Sequence, residues 1–438
     1  MNAWMKTTTM SRSVTWFAAM LAALLLVATL AWHIPFMLWD HLELAPMYQG
    51  WMGGHLDQTT FWKLQGTGHW HVAAYALLLP AAWLTQGHPW LDCLLSWVFL
   101  VGYAAVLLFL RARTLQTSEW GDFALALLMT FLILYPGNFF NLQWGWQLSV
   151  FQCLFGASVT IAALSARRLD WPLNALAISG AILGVLSFAV SYALFVVAFA
   201  MILLRNEIKI SDRIGYFLPW LALALLAYYF GRSAQGVMIQ FQTARVVEYA
   251  LYYLGSGIVR FVPLFAPWAA LAALIVLGFI LRDVRDRHAA MPWFGLLLFA
   301  CVGAALTAMG RGFLEPAQSG ALVPRYVSFS VVFWIGWLGL LARAQVDSGR
   351  WHLGRWAGLI GLLACINAGQ LTYEAKVLGD GSRDLAQRIC NQWPNLEAPL
   401  LKGLIYSGAE AARADLQSLH DLGFAPFDAC DPQGAAQE

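Results

Sequence analysis

The chain has 438 residues, 60% of them hydrophobic and only 11% charged, with a formal net charge of +2. Soluble domains carry about 25% charged residues, so this composition excludes one large soluble core and predicts a polytopic membrane protein. The small net charge gives no electrostatic case for a nucleic-acid partner, and the P-loop and dinucleotide glycine patterns are absent, which excludes an ATP-driven pump within the same chain.

The first apolar run, residues 14–34, follows Lys6 and Arg12 as a secretory signal would. It exceeds a signal core of about 7–15 residues and leads into further runs, so it reads as a retained span. Further spans are predicted at 90–111, 120–136, 146–165, 172–188, 190–204, 214–230, 264–281, 291–309, 326–342 and 356–373. The stretch 172–204 can equally be read as one long tilted helix. Taken as about eleven crossings with the N-terminus inside, the arrangement puts every basic break on the cytoplasmic side. Those breaks are 111–113, 167–168, 205–213, 282–287 and 343–355. Many of the 22 tryptophans flank the runs, where an amphipathic ring suits the headgroup layer. Long runs without alternation make the spans helices, not barrel strands.

Two apolar stretches stay out of the count. Counting 71–86 would put Arg111 and Arg113 outside, so it is expected as a helix at the outer interface. The run 246–261, flanked or interrupted by Arg245, Glu248 and Arg260, is expected to behave the same way. Both should line an outward cavity. From residue 374 the chain turns polar, which predicts a small outward region of two or three short helices. Cys390 and Cys430 would share a disulfide-permissive compartment there and are expected to pair, whereas Cys93, Cys153, Cys301 and Cys365 read as packing residues. The fold class is therefore all-α: a polytopic transmembrane bundle at 1–373, with juxtamembrane helices in its first outer loop (35–89), and a periplasmic region at 374–438.

The first outer loop is the richest in chemistry, and six of the nine histidines precede residue 90. Asp40 falls where the first span meets water, a depth at which an ionisable group is costly unless it serves a partner, a metal or a substrate. Glu43, three residues on, would share its face on a helical turn, so one carboxylate could take a proton while the other positions it or helps hold a cation. The plainer readings are a helix cap for Asp40 and a solvated side chain for Glu43. Asp57 reads as a loop residue, and Lys63, Gly66 and Gly68 lead into His69 and His71. On a helix, an i, i+2 spacing would turn those two rings apart, so a hydrogen bond to substrate suits them better than a metal pair. A wetted interface is the plainer alternative.

The second outer loop holds no acid, but it offers Asn141, Gln143, Trp144, Trp146 and Gln147. Flat apolar faces beside neutral donors and acceptors are what a sugar needs; an aromatic belt with turn residues explains part of the same set. In a later outer loop Arg311 and Arg325, the latter followed by Tyr326, stand at the mouths of adjacent spans. Their guanidinium forks match phosphate oxygens, against the alternatives of snorkelling anchors or a pair with Glu315. Arg232, Arg245 and Arg260 are weaker candidates for the same task.

This layout resembles the GT-C superfamily of polytopic glycosyltransferases that use lipid-linked sugars. The features that carry the resemblance are Asp40 with Glu43 just after the first span, the non-crossing helix at 71–86, the many spans and the outward C-terminal region. The Arg311 to Arg325-Tyr326 loop is also similar to that of uncharacterised bacterial members. The resemblance implies a first-loop acid, here Asp40, as catalytic base or metal-site acid. It implies a polyprenyl-phosphate sugar as donor, with later basic residues facing its phosphate. Many members carry a second acid in the second outer loop; residues 136–146 have none, which leaves a divalent cation an option and not a requirement.

The expected function is an inner-membrane glycosyltransferase of a bacterium, working on the periplasmic side. Asp40, with Glu43, would be catalytic, and His41, His69, His71, Asn141, Gln143, Trp144, Gln147, Arg311, Arg325 and Tyr326 would bind substrate. The acceptor is left open among a glycan, a lipid and a protein. A flippase of lipid-linked sugars is the chief rival, weakened by the lack of inverted halves and of charges within spans. An O-antigen-type polymerase or ligase is the third reading.

Overall fold

A computed structural model describes residues 2–62, 69–115, 119–231, 242–405 and 408–430, and every regular element among them is helical. In chain order the α-helices are α1 (Asn2–Trp32), α2 (Ala45–Met52), α3 (Gln58–Trp62), α4 (Val72–Thr85), α5 (Trp90–Thr114), α6 (Glu119–Ile133) and α7 (Phe139–Leu142). There follow α8 (Leu148–Leu164), α9 (Trp171–Val185), α10 (Ala193–Leu203), α11 (Ile210–Gly231), α12 (Thr243–Val259), α13 (Ala266–Asp283) and α14 (Arg287–Arg311). The chain ends with α15 (Ala317–Ala321), α16 (Val327–Ser348), α17 (Leu353–Gln392), α18 (Ala398–Leu404) and α19 (Ala409–Asp421).

Eight helical stretches among the described residues are long and apolar enough to cross a membrane. They are Arg12–Trp32, Trp90–Thr114, Phe123–Leu142, Gly145–Leu164, Ile210–Phe230, Pro263–Asp283, Arg287–Arg311 and Pro324–Ser348, and each coincides with an expected span. The chain is thus built as a multi-pass membrane protein. The expected pair at 172–188 and 190–204 appears as two shorter apolar helices, and it is not one tilted helix, because the backbone breaks between Val185 and Ala189. The eleventh expected span, 356–373, lies inside α17, a continuous helix of 40 residues. The expected boundary at 373/374 therefore falls within unbroken helix.

Local chemistry sets several ends. Asp170 and Asp286 accept from the backbone N–H of Leu173 (3.0 Å) and Ala289 (3.1 Å), capping α9 and α14. Arg205, only 1% exposed, donates to the carbonyls of Leu164, Ala166 and Arg167 at the C-terminus of α8. A residue that counts toward the charge rule thus also satisfies orphan carbonyls. Glycines let helices approach closely: a Cβ at Gly255 would lie 1.9 Å from the Ala266 carbonyl of α13.

The run expected as a second interfacial helix, 246–261, is helical and turns one face into the bundle. It forms α12, which packs against α13, α14, α16 and α17 and buries Tyr249 and Tyr253. Its aromatic and glycine-rich face finds more apolar surface inside the bundle than a headgroup layer would offer.

Two hydrophobic cores result. The larger joins the long helices. The smaller gathers the first loop (Phe36, Leu42, Tyr48), α4 (Tyr75, Leu78), Trp144 and Trp146, and the C-terminal Ile389, Leu416 and Phe424. The expected interfacial helix at 71–86 is present as the 14-residue α4. It ends on Gln86 in the left-handed region, and the backbone N–H of Ala425 donates to the Gln86 carbonyl at 3.1 Å. Beside it His88 meets Asp428 at 2.6 Å. The Cys390–Cys430 bridge is formed and returns the C-terminal segment to the end of α17. The region after α17 is therefore a lid welded onto the first loop.

Candidate active site

Leaving α1, the chain turns back at residues 33–38 and enters a 3₁₀ turn, Trp39–Leu44. Trp39 has φ of 55°, left-handed backbone that a bulky residue adopts at a cost of about 1–2 kcal/mol. What holds it is Trp144: its indole N–H donates to the Leu38 carbonyl (3.1 Å), and its ring meets the Trp39 ring edge-on with centroids 5.1 Å apart. This strained residue aims the next one, Asp40.

Asp40 is half-buried, and no side-chain cap bond is made at this turn, so it is not the helix cap a plain reading offers. Burial pushes its pKa above the ordinary carboxylate value, and the positive fields of Arg325 and Arg311 oppose that rise without cancelling it. Both arginines are therefore close enough to act on Asp40. Residues 40, 311 and 325, far apart in the chain, share one neighbourhood. Arg325 also lies over the Tyr326 ring (5.4 Å), which in turn packs against Tyr253 (5.1 Å).

His69 joins the same group. Burial, the adjacent His71 and the fields of Arg311 and Arg325 all depress its pKa, so the ring is neutral. The backbone N–H of Ala189 donates to its Nδ1 at 3.2 Å, which leaves the proton of the neutral ring on Nε2. His71 is pushed down to about 4 by burial. The two rings do not diverge as a helical spacing implies: residues 69–71 lie just before α4, and their rings stack with centroids 5.7 Å apart. Outside a helix, residues i and i+2 can face the same way.

Glu43 turns toward other partners. Its charge acts on Tyr75 of α4, as does that of Asp40, and also on Asp415 of α19. Burial and Glu43 together raise Asp415 to about 6. Asp40 and Glu43 thus both lie within the electrostatic reach of Tyr75.

Several residues expected to bind substrate face the protein instead. His41 is fully buried, its Nε2 3.2 Å from the Tyr48 hydroxyl and 3.9 Å from the Asp92 carboxylate, and burial pushes its pKa down to about 3. Trp144 is the brace for Trp39 described above. Asn141 donates to the Arg325 carbonyl (3.0 Å) and to Ser328 Oγ (2.7 Å), and Ser328 donates to Asn138 Oδ1 (2.7 Å). The second loop therefore fixes the backbone that carries Arg325. Gln143 is fully buried; its carbonyl accepts from the Ile34 N–H at 2.9 Å, and its side-chain amide has no partner among the described residues. Gln147 is buried at the start of α8, and Tyr326 is buried beneath Arg325. Asp57 caps its own turn through Thr59 and Thr60. Arg260 pairs with Glu374 (2.7 Å), and Arg245 lies over Phe313. Lys63, Gly66, Gly68 and Arg232 lie outside the described residues.

Three contributors escaped the sequence reading: the left-handed Trp39, the Asn138–Ser328 link and the buried acid Asp92. Among the described residues no group of three or more His, Cys, Asp or Glu side chains is arranged to hold a metal ion. No family model, characterised protein or solved structure matches this chain.

Proposed function

We propose that the protein is a membrane glycosyltransferase that moves a sugar from a polyprenyl-phosphate donor to an acceptor hydroxyl. The observation that carries this reading is that the half-buried Asp40 lies within the electrostatic reach of both Arg311 and Arg325. A base of raised pKa beside two phosphate-matching cations suits attack by a hydroxyl on a carbon whose leaving group is a phosphate. The acceptor oxygen bonds to the anomeric carbon as the bond to the lipid phosphate oxygen breaks. Asp40 takes the hydroxyl proton, and Arg311 and Arg325 receive the charge of the departing polyprenyl phosphate. Neutral His69, held by Ala189, adds a donor on the same side.

The topology belongs to this proposal. About eleven crossings, with the N-terminus cytoplasmic and the C-terminus periplasmic in a bacterial inner membrane, keep the basic connectors inside and Asp40 outside. The Cys390–Cys430 bridge supports an oxidising compartment for the lid. The acceptor is a glycan, a lipid or a protein.

Mass spectrometry of lipid that stays with the purified protein tests the reading. A polyprenyl phosphate or its sugar conjugate is expected on the wild type and depleted in Arg325→Ala. A wild type that carries no polyprenyl species, and transfers no sugar when given one, overturns it.

A further inference from the structure

Beside the segment that leads into Arg325 lies a cleft of about 550 Å³, lined by Arg260, Phe261, Gln318, Ser319, Gln370 and several prolines. Its volume falls within the range of about 300–1,000 Å³ usual for ligand sites. Pro263 and Pro324, which line it, open two of the long membrane helices, so the cleft sits at the membrane surface on the Asp40 side. Large apolar side chains flank it without protein cover: Leu264, Phe265 and Trp268 around the start of α13, and Ile366 and Tyr373 on α17. Ile366, Gln370 and Tyr373 follow one another at helical spacing, so the amide of Gln370 interrupts an otherwise greasy stripe.

The polar wall is built with care. Arg260 Nε donates to the Leu322 carbonyl at 2.6 Å, and Nη1 meets Glu374 Oε1 at 2.7 Å. Gln370 Nε2 donates to the same carboxylate oxygen at 2.8 Å. Asn367 Oδ1 holds the Arg260 backbone N–H at 3.0 Å. Glu374 thus fixes the guanidinium and the amide, while Arg260, Gln318 and Ser319 line the cleft; the Ser319 hydroxyl donates to the Pro316 carbonyl at 3.1 Å and keeps its lone pairs to accept. Glu374 also balances the Arg260 charge, so the wall offers hydrogen-bond donors without excess positive charge, which suits a monoanionic diester better than a dianionic monoester or a pyrophosphate.

We infer that this cleft binds the phosphodiester headgroup of a bilayer phospholipid, with acyl chains along the Phe265–Trp268 and Ile366–Tyr373 surfaces. A bound lipid would brace the 316–324 segment and so the backbone of Arg325. The inference stands apart from the sugar-transfer reading, because it concerns a lipid that is not consumed.

Native mass spectrometry of the full chain in detergent, titrated with phosphatidylglycerol, with diacylglycerol and with inorganic phosphate, tests it. One phosphatidylglycerol is expected to stay bound most tightly, and Arg260→Met should weaken its retention about tenfold, as loss of a charged hydrogen bond predicts. Because that change also removes fold contacts, a Gln318→Ala/Ser319→Ala double variant on exposed positions provides a second reading, expected about threefold weaker. Diacylglycerol retained as well as the phospholipid would show a greasy groove only. Inorganic phosphate bound as tightly would show an anion site with no lipid role. Either result, or equal retention in wild type and both variants, overturns the inference.

Discussion

Replacing Asp40 by Asn separates chemistry from folding in one step. A positioned general base contributes about 10²–10⁴-fold in rate, so its loss raises the barrier by roughly 3–5 kcal/mol. The amide keeps the shape, and the Trp39 turn is held by Trp144, so the site should persist. Stability should move the other way. Burial raises the pKa of Asp40, so folding favours its neutral form; that contribution is complete below the unfolded value of 3.8 and is lost as pH rises through the folded value. Above the folded value the wild type therefore bears an ionised, partly desolvated carboxylate, and there Asp40→Asn is expected to melt at an equal or higher temperature. For the same reason, transfer by the wild type should climb with pH through a midpoint above the ordinary carboxylate range. The assay is sugar transfer from a polyprenyl-phosphate donor in reconstituted vesicles, alongside melting followed by tryptophan fluorescence. Retention of more than about a tenth of the rate, or an activity loss that merely tracks a lower melting temperature, would refute the argument.

Arg311→Ala and Arg325→Ala should each weaken donor binding by about 10–100-fold, the worth of a charged hydrogen bond, and leave melting nearly unchanged; donor titrations read this. Gly255→Ala drives a methyl into the Ala266 carbonyl and should cost about 1–3 kcal/mol, visible as a lower melting temperature. Serine at Cys390 and Cys430 opens a loop closed over a separation of 40 residues, worth about 4 kcal/mol in the chain-entropy account, so limited proteolysis should clip the lid while the long helices resist. Asp415, raised to about 6 by burial and Glu43, favours the docked lid when protonated; docking should tighten below pH 6 and loosen above it. Hydrogen exchange in α19 at pH 5 and pH 8 checks this, and Asp415→Asn should abolish the difference.

The long helices were legible because twenty apolar residues in a row admit little else in a bilayer. The same logic found α4, whose crossing would have misplaced Arg111 and Arg113. At 246–261 it found a helix but not its packing: a short apolar run flanked by charge does not reveal that its C-terminal half fills a gap among other helices. Only the packing of Tyr253 against Tyr326 and of Gly255 against Ala266 shows that. At the site, Asp40, Arg311 and Arg325 were legible one by one from charges placed at span mouths. The residues that hold them were not. Asn141 and Trp144 read as sugar ligands because amides and indoles suit both sugars and backbone carbonyls, and single-chain spacing does not say which one they meet. The left-handed turn at Trp39 has no sequence signature, since glycine or asparagine would be the usual choice there.

The unbroken helix α17 has a mechanical consequence. Roughly 28 Å of rod projects beyond Tyr373, stiff along its length. Its tip is tied through Cys390 and Cys430 to the strip that grips Gln86 and His88. A lever of that length turns a lean of five degrees into a sideways travel of about 2.5 Å. Whatever tilts α17 therefore becomes an input to the geometry around the Asp40 turn.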